Sequence, residues 1–150
     1  MSLPTQILPD HHRYCDNLFV AAEDCVQRGD WAAAVSAFEH FHDQMKAHFE
    51  AEEGVLFPAF ESATGMSAGP TQMMRYEHEQ MRALFAQLAA ACAAHDGEGY
   101  AGAAETLLML MQQHNMKEEN ILYPMCDQAL GAEAEPLGAR LGAMLEKGHA

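Results

Sequence analysis

Residues 48–58 read HFEAEEGVLFP and residues 114–124 read HNMKEENILYP, one pattern, H-x-x-x-E-E-x-[VI]-L-[FY]-P, written twice at an offset of 66 residues. The same offset carries His12 onto His78, Leu18 onto Leu84, Phe19 onto Phe85 and Met45 onto Met111 without a gap. A chain that repeats in this way is built from two like units, neither of which buries its apolar face alone. Each unit reads as a helical hairpin supplying one single histidine and one His-x-x-x-Glu pair.

Breakers set the limits of four long segments. Pro9 and Asp10 open the first, and Gly29 with Asp30 separates it from the second. The stretch SATGMSAGP (62–70) closes the second, DGEG (96–99) closes the third and Gly131 to Pro136 closes the fourth. Within each segment, apolar residues recur every third or fourth position. The stripes are Leu8, His12, Cys15, Phe19, Ala22, Val26; Phe38, Phe41, Met45, His48, Glu52, Val55; Met74, His78, Met81, Phe85, Leu88, Cys92; and Leu107, Met111, His114, Glu118, Ile121, Met125. A composition rich in Ala, Leu, Met and Glu favours helix throughout. The expected fold is all-α, a four-helix bundle over about 9–130 with a tail at 131–150, where Leu137, Leu141 and Leu145 fall on one face of a short helix. At 150 residues the chain is expected to form a single domain.

Residues four apart on a helix lie about 40° apart in angle and roughly 6 Å apart in rise, so His48 projects beside Glu52 and His114 beside Glu118. With His12 and His78, these six side chains occupy stripes that should be core, where uncompensated polar burial costs several kcal/mol per group. A pair of cations accounts for the set better than a metal-free hydrogen-bond network does. Imidazole with carboxylate suits iron, manganese or zinc, and the lack of thiolates at the matched positions argues against a structural zinc site. If each Glu bridges, two octahedral ions offer about twelve positions, of which His12, His48, His78, His114, Glu52, Glu118 and a shared oxygen fill about ten. About two then remain for solvent or a small ligand. The offset selects His12 over His11, which maps onto Glu77.

Other polar residues have plainer expectations. Glu53 and Glu119 point about 140° from their histidines and read as caps, salt bridges or outer hydrogen-bond partners. His40 and His42 lie about two turns from His48, on the surface or behind the site. His95 and His149 suit the negative ends of helices. Pro58 and Pro124 predict a kink or a helix end.

The net charge of −14 disfavours nucleic acid and anionic membranes as partners. No apolar run is long enough to span a bilayer, and the N-terminus lacks the pattern of a signal peptide. Cysteines at 15, 25, 92 and 126 form no Cys-x-x-Cys pair, which fits a reducing, cytoplasmic setting. The Leu-bearing tail and the Met and Ala content leave a homodimer open.

These motifs resemble the hemerythrin-like (HHE cation-binding) family, whose pattern of His, His-x-x-x-Glu, His, His-x-x-x-Glu is met at 12, 48/52, 78 and 114/118. The resemblance implies an up-down-up-down bundle around a carboxylate-bridged, non-haem di-iron centre. It also implies a small diatomic ligand, oxygen or nitric oxide, held for sensing, storage or delivery. Oxygen-carrying members have a second histidine one turn from the single one in the third helix, where this chain has Met74 and Arg82. One ion is thus expected to keep an extra open position or to recruit His11, Asp16 or Tyr76. An enzyme reducing nitric oxide or peroxide, or an iron donor in repair, is the alternative, with Cys15 as its redox feature. A structural or interaction bundle in which metal serves only the fold, or is absent, is the third.

Overall fold

A computed structural model describes residues 2–149 of the chain, with side chains through Glu146. The described residues are helical apart from short connections and contain no strand. The helices are α1 (Pro4–Gln27), α2 (Trp31–Ala51), α3 (Phe57–Thr64), α4 (Pro70–Ala93), α5 (Gly97–Lys117), α6 (Tyr123–Leu130) and α7 (Ala134–His149). Two π-helical turns, Glu52–Leu56 and Glu118–Leu122, join α2 to α3 and α5 to α6, so each pair forms one long rod. Helix α1 packs on α2 and α4 on α5, and the hairpins meet through α2 against α4 and α1 against α5.

The repeat extends to the caps. Asp30 and Asp96, 66 residues apart, each accept a hydrogen bond from the backbone N–H three residues on, at 3.2 Å from Ala33 and 2.9 Å from Gly99. Just before them, Gly29 and His95 both adopt left-handed backbone, with φ of 72° and 52°. His95, expected at a helix end, sits there with its ring stacked on Trp31 at 5.2 Å. The side chain of His149 lies outside the described residues.

Two expectations need correction. Helix α1 begins at Pro4, not near Pro9. Pro4 takes a first-turn position where no N–H donor is needed, and the Leu3 N–H donates to the Gln6 side chain at 3.0 Å. Pro9 then stands inside the helix and forgoes one backbone bond. Burial of Leu8 against the second apolar cluster offsets that loss. In the fourth stripe, Ile121 is 56% exposed and Met125 only partly buried, while Leu122 and Cys126 are buried in their place. The π turn holds one residue more than an α turn and advances the inward face by one position. The remaining stripe residues are buried as the periodicity predicts.

Pro58 and Pro124 explain where the π turns fall. Proline lacks an N–H, and its ring clashes with the carbonyl four residues back in a regular α-helix. Here the preceding residue bonds five back instead, Phe57 N–H to the Glu52 carbonyl and Tyr123 N–H to the Glu118 carbonyl. The rods run on for eight more residues beyond each turn.

Two apolar clusters result. One, from Cys15 to Met111, fills the end near the Asp30 and Asp96 caps. The other gathers Leu8, Val55, Leu56, Phe57, Phe60, Leu122 and Tyr123 beneath Leu141 and Leu145 of α7. Between them lies a band of buried polar side chains.

Candidate metal centre

Four rods deliver the band: α1 brings His11 and His12, α2 and its π turn bring Gln44, His48 and Glu52, α4 brings His78, and α5 and its π turn bring His114 and Glu118. Their inner atoms fall into two groups, His12 with His48, Glu52 and Glu118, and His78 with His114, Glu52 and Glu118. Within each group one donor atom per residue lies within 4.8 Å of every other. The six residues read from the sequence are therefore the six brought together. Both glutamates belong to both groups, as a bridge between two ions requires.

Several inner atoms have no protein partner. Glu52 Oε1, His78 Nε2, His114 Nε2 and Glu118 Oε2 are buried without a hydrogen bond. His78 Nε2 lies 3.1 Å from Glu52 Oε1 and His114 Nε2 lies 3.3 Å from Glu118 Oε1, close enough to pair but not aligned to bond. Buried polar atoms left in this state are costly, and their convergence on one space suits a cation.

The outer nitrogens are held. His12 Nδ1 donates to Glu119 and His78 Nδ1 to Glu53, both at 2.6 Å, and His114 Nδ1 donates to Glu77 at 2.8 Å. Glu77 also receives Lys117 at 2.6 Å, and Glu53 receives Arg82 at 2.9 Å. Glu53 and Glu119 thus back the histidines of neighbouring helices. His48 differs: its Nδ1 shares a 2.8 Å hydrogen bond with His11 Nδ1, and His11 Nε2 donates to Gln44 at 3.0 Å. The offset places His11 where Glu77 stands, so His11 is buried for the same structural reason as Glu77, as the support of a cluster histidine.

Of the three residues considered as an additional ligand, His11 stands behind His48, Asp16 is exposed and Tyr76 is 64% exposed. None joins the inner cluster. The group that does is Tyr123, which fills the [FY] position of the repeated motif and was not among the candidate ligands named from the sequence. Its hydroxyl lies 2.5 Å from Glu52 Oε2, 2.8 Å from Glu118 Oε1, 3.2 Å from His12 Nε2 and 3.5 Å from His48 Nε2. A residue five positions after Glu118 would point about 140° away on an α-helix; the π turn puts it on the same face. Phe57, its counterpart, stacks near His78 at 5.8 Å, with Phe49 closer at 3.9 Å.

The charges follow these contacts. Burial alone would lower the pKa of His12, but hydrogen bonds to Glu118 and Glu119 raise it to about 9. For His114 burial is likewise overcome, by Glu118 and Glu77 among others, and the value rises to about 10. Burial opposes ionisation of Glu53, yet bonds from His78 and Arg82 hold it down at about 2. Glu77 is held at about 2 chiefly by the bond from His114. Burial pushes the Cys15 thiol up to about 12, so it stays protonated beside His11.

His40 is exposed and bonds Tyr14 at 3.2 Å, and His42 lies against Phe38 and Phe85, both apart from the cluster. Among the described residues no helix is long and apolar enough to cross a membrane.

Comparison with known proteins gives one family. Its model, described as the hemerythrin HHE cation binding domain, matches residues 3–126. No curated protein and no solved structure gives a match. The matched span contains both hairpins, both π turns and the six clustered His and Glu residues, and the chain belongs to the hemerythrin HHE cation-binding domain family.

Proposed function

We propose that the chain holds two non-haem iron ions, bridged by Glu52 and Glu118 and completed by His12 and His48 on one side and His78 and His114 on the other. The carrying observation is the pair of four-residue groups that share both glutamates, with four unpartnered buried atoms turned into them. An inner donor set of four imidazoles and two carboxylates leaves the ions a high net charge, which suits taking up a small diatomic ligand, oxygen or nitric oxide, for sensing, storage or delivery. Iron is preferred for that role; manganese and zinc accept the same donors. The residues fit the group: each cluster imidazole has its outer nitrogen tied, which fixes the ring with Nε2 inward.

The same reading takes residues 1–150 as one unit with its rods alternating in direction, supported by three-residue connections at 28–30 and 94–96. Four buried free thiols fit a reducing, cytoplasmic setting. The redox-enzyme alternative draws no support from Cys15, a buried thiol outside the inner cluster.

Metal analysis and absorption spectra test the proposal. The protein is expected to hold two irons per chain, and the reduced form to change its spectrum with oxygen, nitric oxide or azide. Glu52→Ala or Glu118→Ala should lose both ions, whereas His12→Ala or His78→Ala should lose mainly one. Equal loss of a single ion from all four variants contradicts the bridging arrangement. Less than about one metal per chain, with unchanged stability of His114→Ala, leaves a purely structural bundle.

A further inference from the structure

We propose that Tyr123 is a seventh metal ligand, a phenolate on the ion held by His12 and His48, and that it makes the two halves of the centre chemically unlike. This rests on the two-ion reading above.

The first ground is crowding. The Tyr123 oxygen faces two carboxylate oxygens, at 2.5 and 2.8 Å, and two imidazole nitrogens, at 3.2 and 3.5 Å. One hydroxyl proton serves only one of these four. All four belong to the group formed by His12, His48, Glu52 and Glu118, so a cation there lies within reach of the phenol oxygen too. Tyr123 itself is fully buried.

The second ground is the balance of charge between the halves. Behind His78 and His114 stand two carboxylates, Glu53 and Glu77. Behind His12 stands Glu119, but behind His48 stands His11 with Gln44, an imidazole and an amide in place of a carboxylate. The half with one outer carboxylate instead of two is the half that has Tyr123, while the other half has Phe57 at the matching position. A phenolate restores the missing negative charge. Ligation breaks the phenol O–H bond and forms an oxygen–metal bond, the proton leaves to solvent, and no electron is transferred.

The test is spectroscopic. The protein is loaded with ferrous iron, oxidised with ferricyanide, assayed for iron and examined by visible absorption and resonance Raman. A phenolate-to-ferric charge-transfer band is expected, with enhanced tyrosine ring modes, absent from zinc-loaded protein. Tyr123→Phe should lose the band while keeping two irons per chain. The triple variant Tyr14→Phe, Tyr76→Phe, Tyr100→Phe, in which Tyr123 is the one remaining tyrosine of four, should keep it. A band that survives in Tyr123→Phe, vanishes from the triple variant or is missing from wild type carrying two ferric ions overturns the assignment. Wild type that binds no iron overturns the two-ion reading itself.

Discussion

Each cluster histidine has one nitrogen committed outward and one inward, and without metal the arrangement is held by protons. His12 and His114 rise to about 9 and about 10 because Glu118, with Glu119 or Glu77, favours the imidazolium. A histidine raised from 6.5 adds stability that is complete below 6.5 and lost as pH climbs through 9 to 10. Glu53 and Glu77, depressed from 4.5 to about 2, add stability that is complete above 4.5 and lost as pH falls towards 2. Metal-free protein is therefore expected to be most stable between pH 4.5 and 6.5. Urea midpoints in chelator, compared at about pH 5.5 and about pH 8.5, check this. A higher midpoint at the alkaline value contradicts it. With metal the alkaline loss should vanish, since ligation needs neutral imidazoles. The sequence revealed the six clustered His and Glu residues because their spacing repeats, and it offered His11 only as an extra ligand because the residue at the matching position, Glu77, is of a different type. Only the three-dimensional placement of Glu77 behind His114 shows what a residue at that position does.

At the scale of the element, the π turns decide which side chains enter the site. Periodicity of 3.6 residues located every stripe residue before Glu52 and Glu118 and failed after Glu118, at Ile121 and Met125. The signal was present in the sequence as a proline at the end of each repeat. What it could not say is whether the rod would end, bend or take in one extra residue. The extra residue spares the clash between Pro124 and the carbonyl four positions back. Deleting the exposed Asn120 shortens that turn to α geometry and keeps the downstream face in phase, but restores the clash. The deletion is expected to cost about 3 kcal/mol, and adding Pro124→Ala to it should recover most of the loss. Urea melts of wild type, the deletion and the double variant decide the matter; no recovery in the double variant would separate the π turn from the proline.

The whole molecule departs from its internal two-fold at α7, which lies beyond the residues 3–126 matched by the family. That helix packs on α1, on α2 and on the first π turn. Its approach is close enough that a Cβ at Gly138 would overlap the Ser2 carbonyl oxygen. The consequence is visible in equivalent residues: Val55 is 7% exposed beneath α7, while Ile121, at the matching place on the other hairpin, is 56% exposed. The leucine spacing of the tail predicts this helix, but not which hairpin it covers, because both hairpins carry the same pattern. Leu141 is fully buried between the rods and Leu137 only half-buried at the margin. Leu141→Ala is expected to cost about 2–5 kcal/mol, as a cavity in a filled core does, and Leu137→Ala distinctly less. Since α7 covers the end of the bundle next to His11 and Glu52, Leu141→Ala should also release metal to chelator faster than wild type. Equal stability losses in the two variants, with unchanged release, would mean that α7 rests on the bundle without closing it.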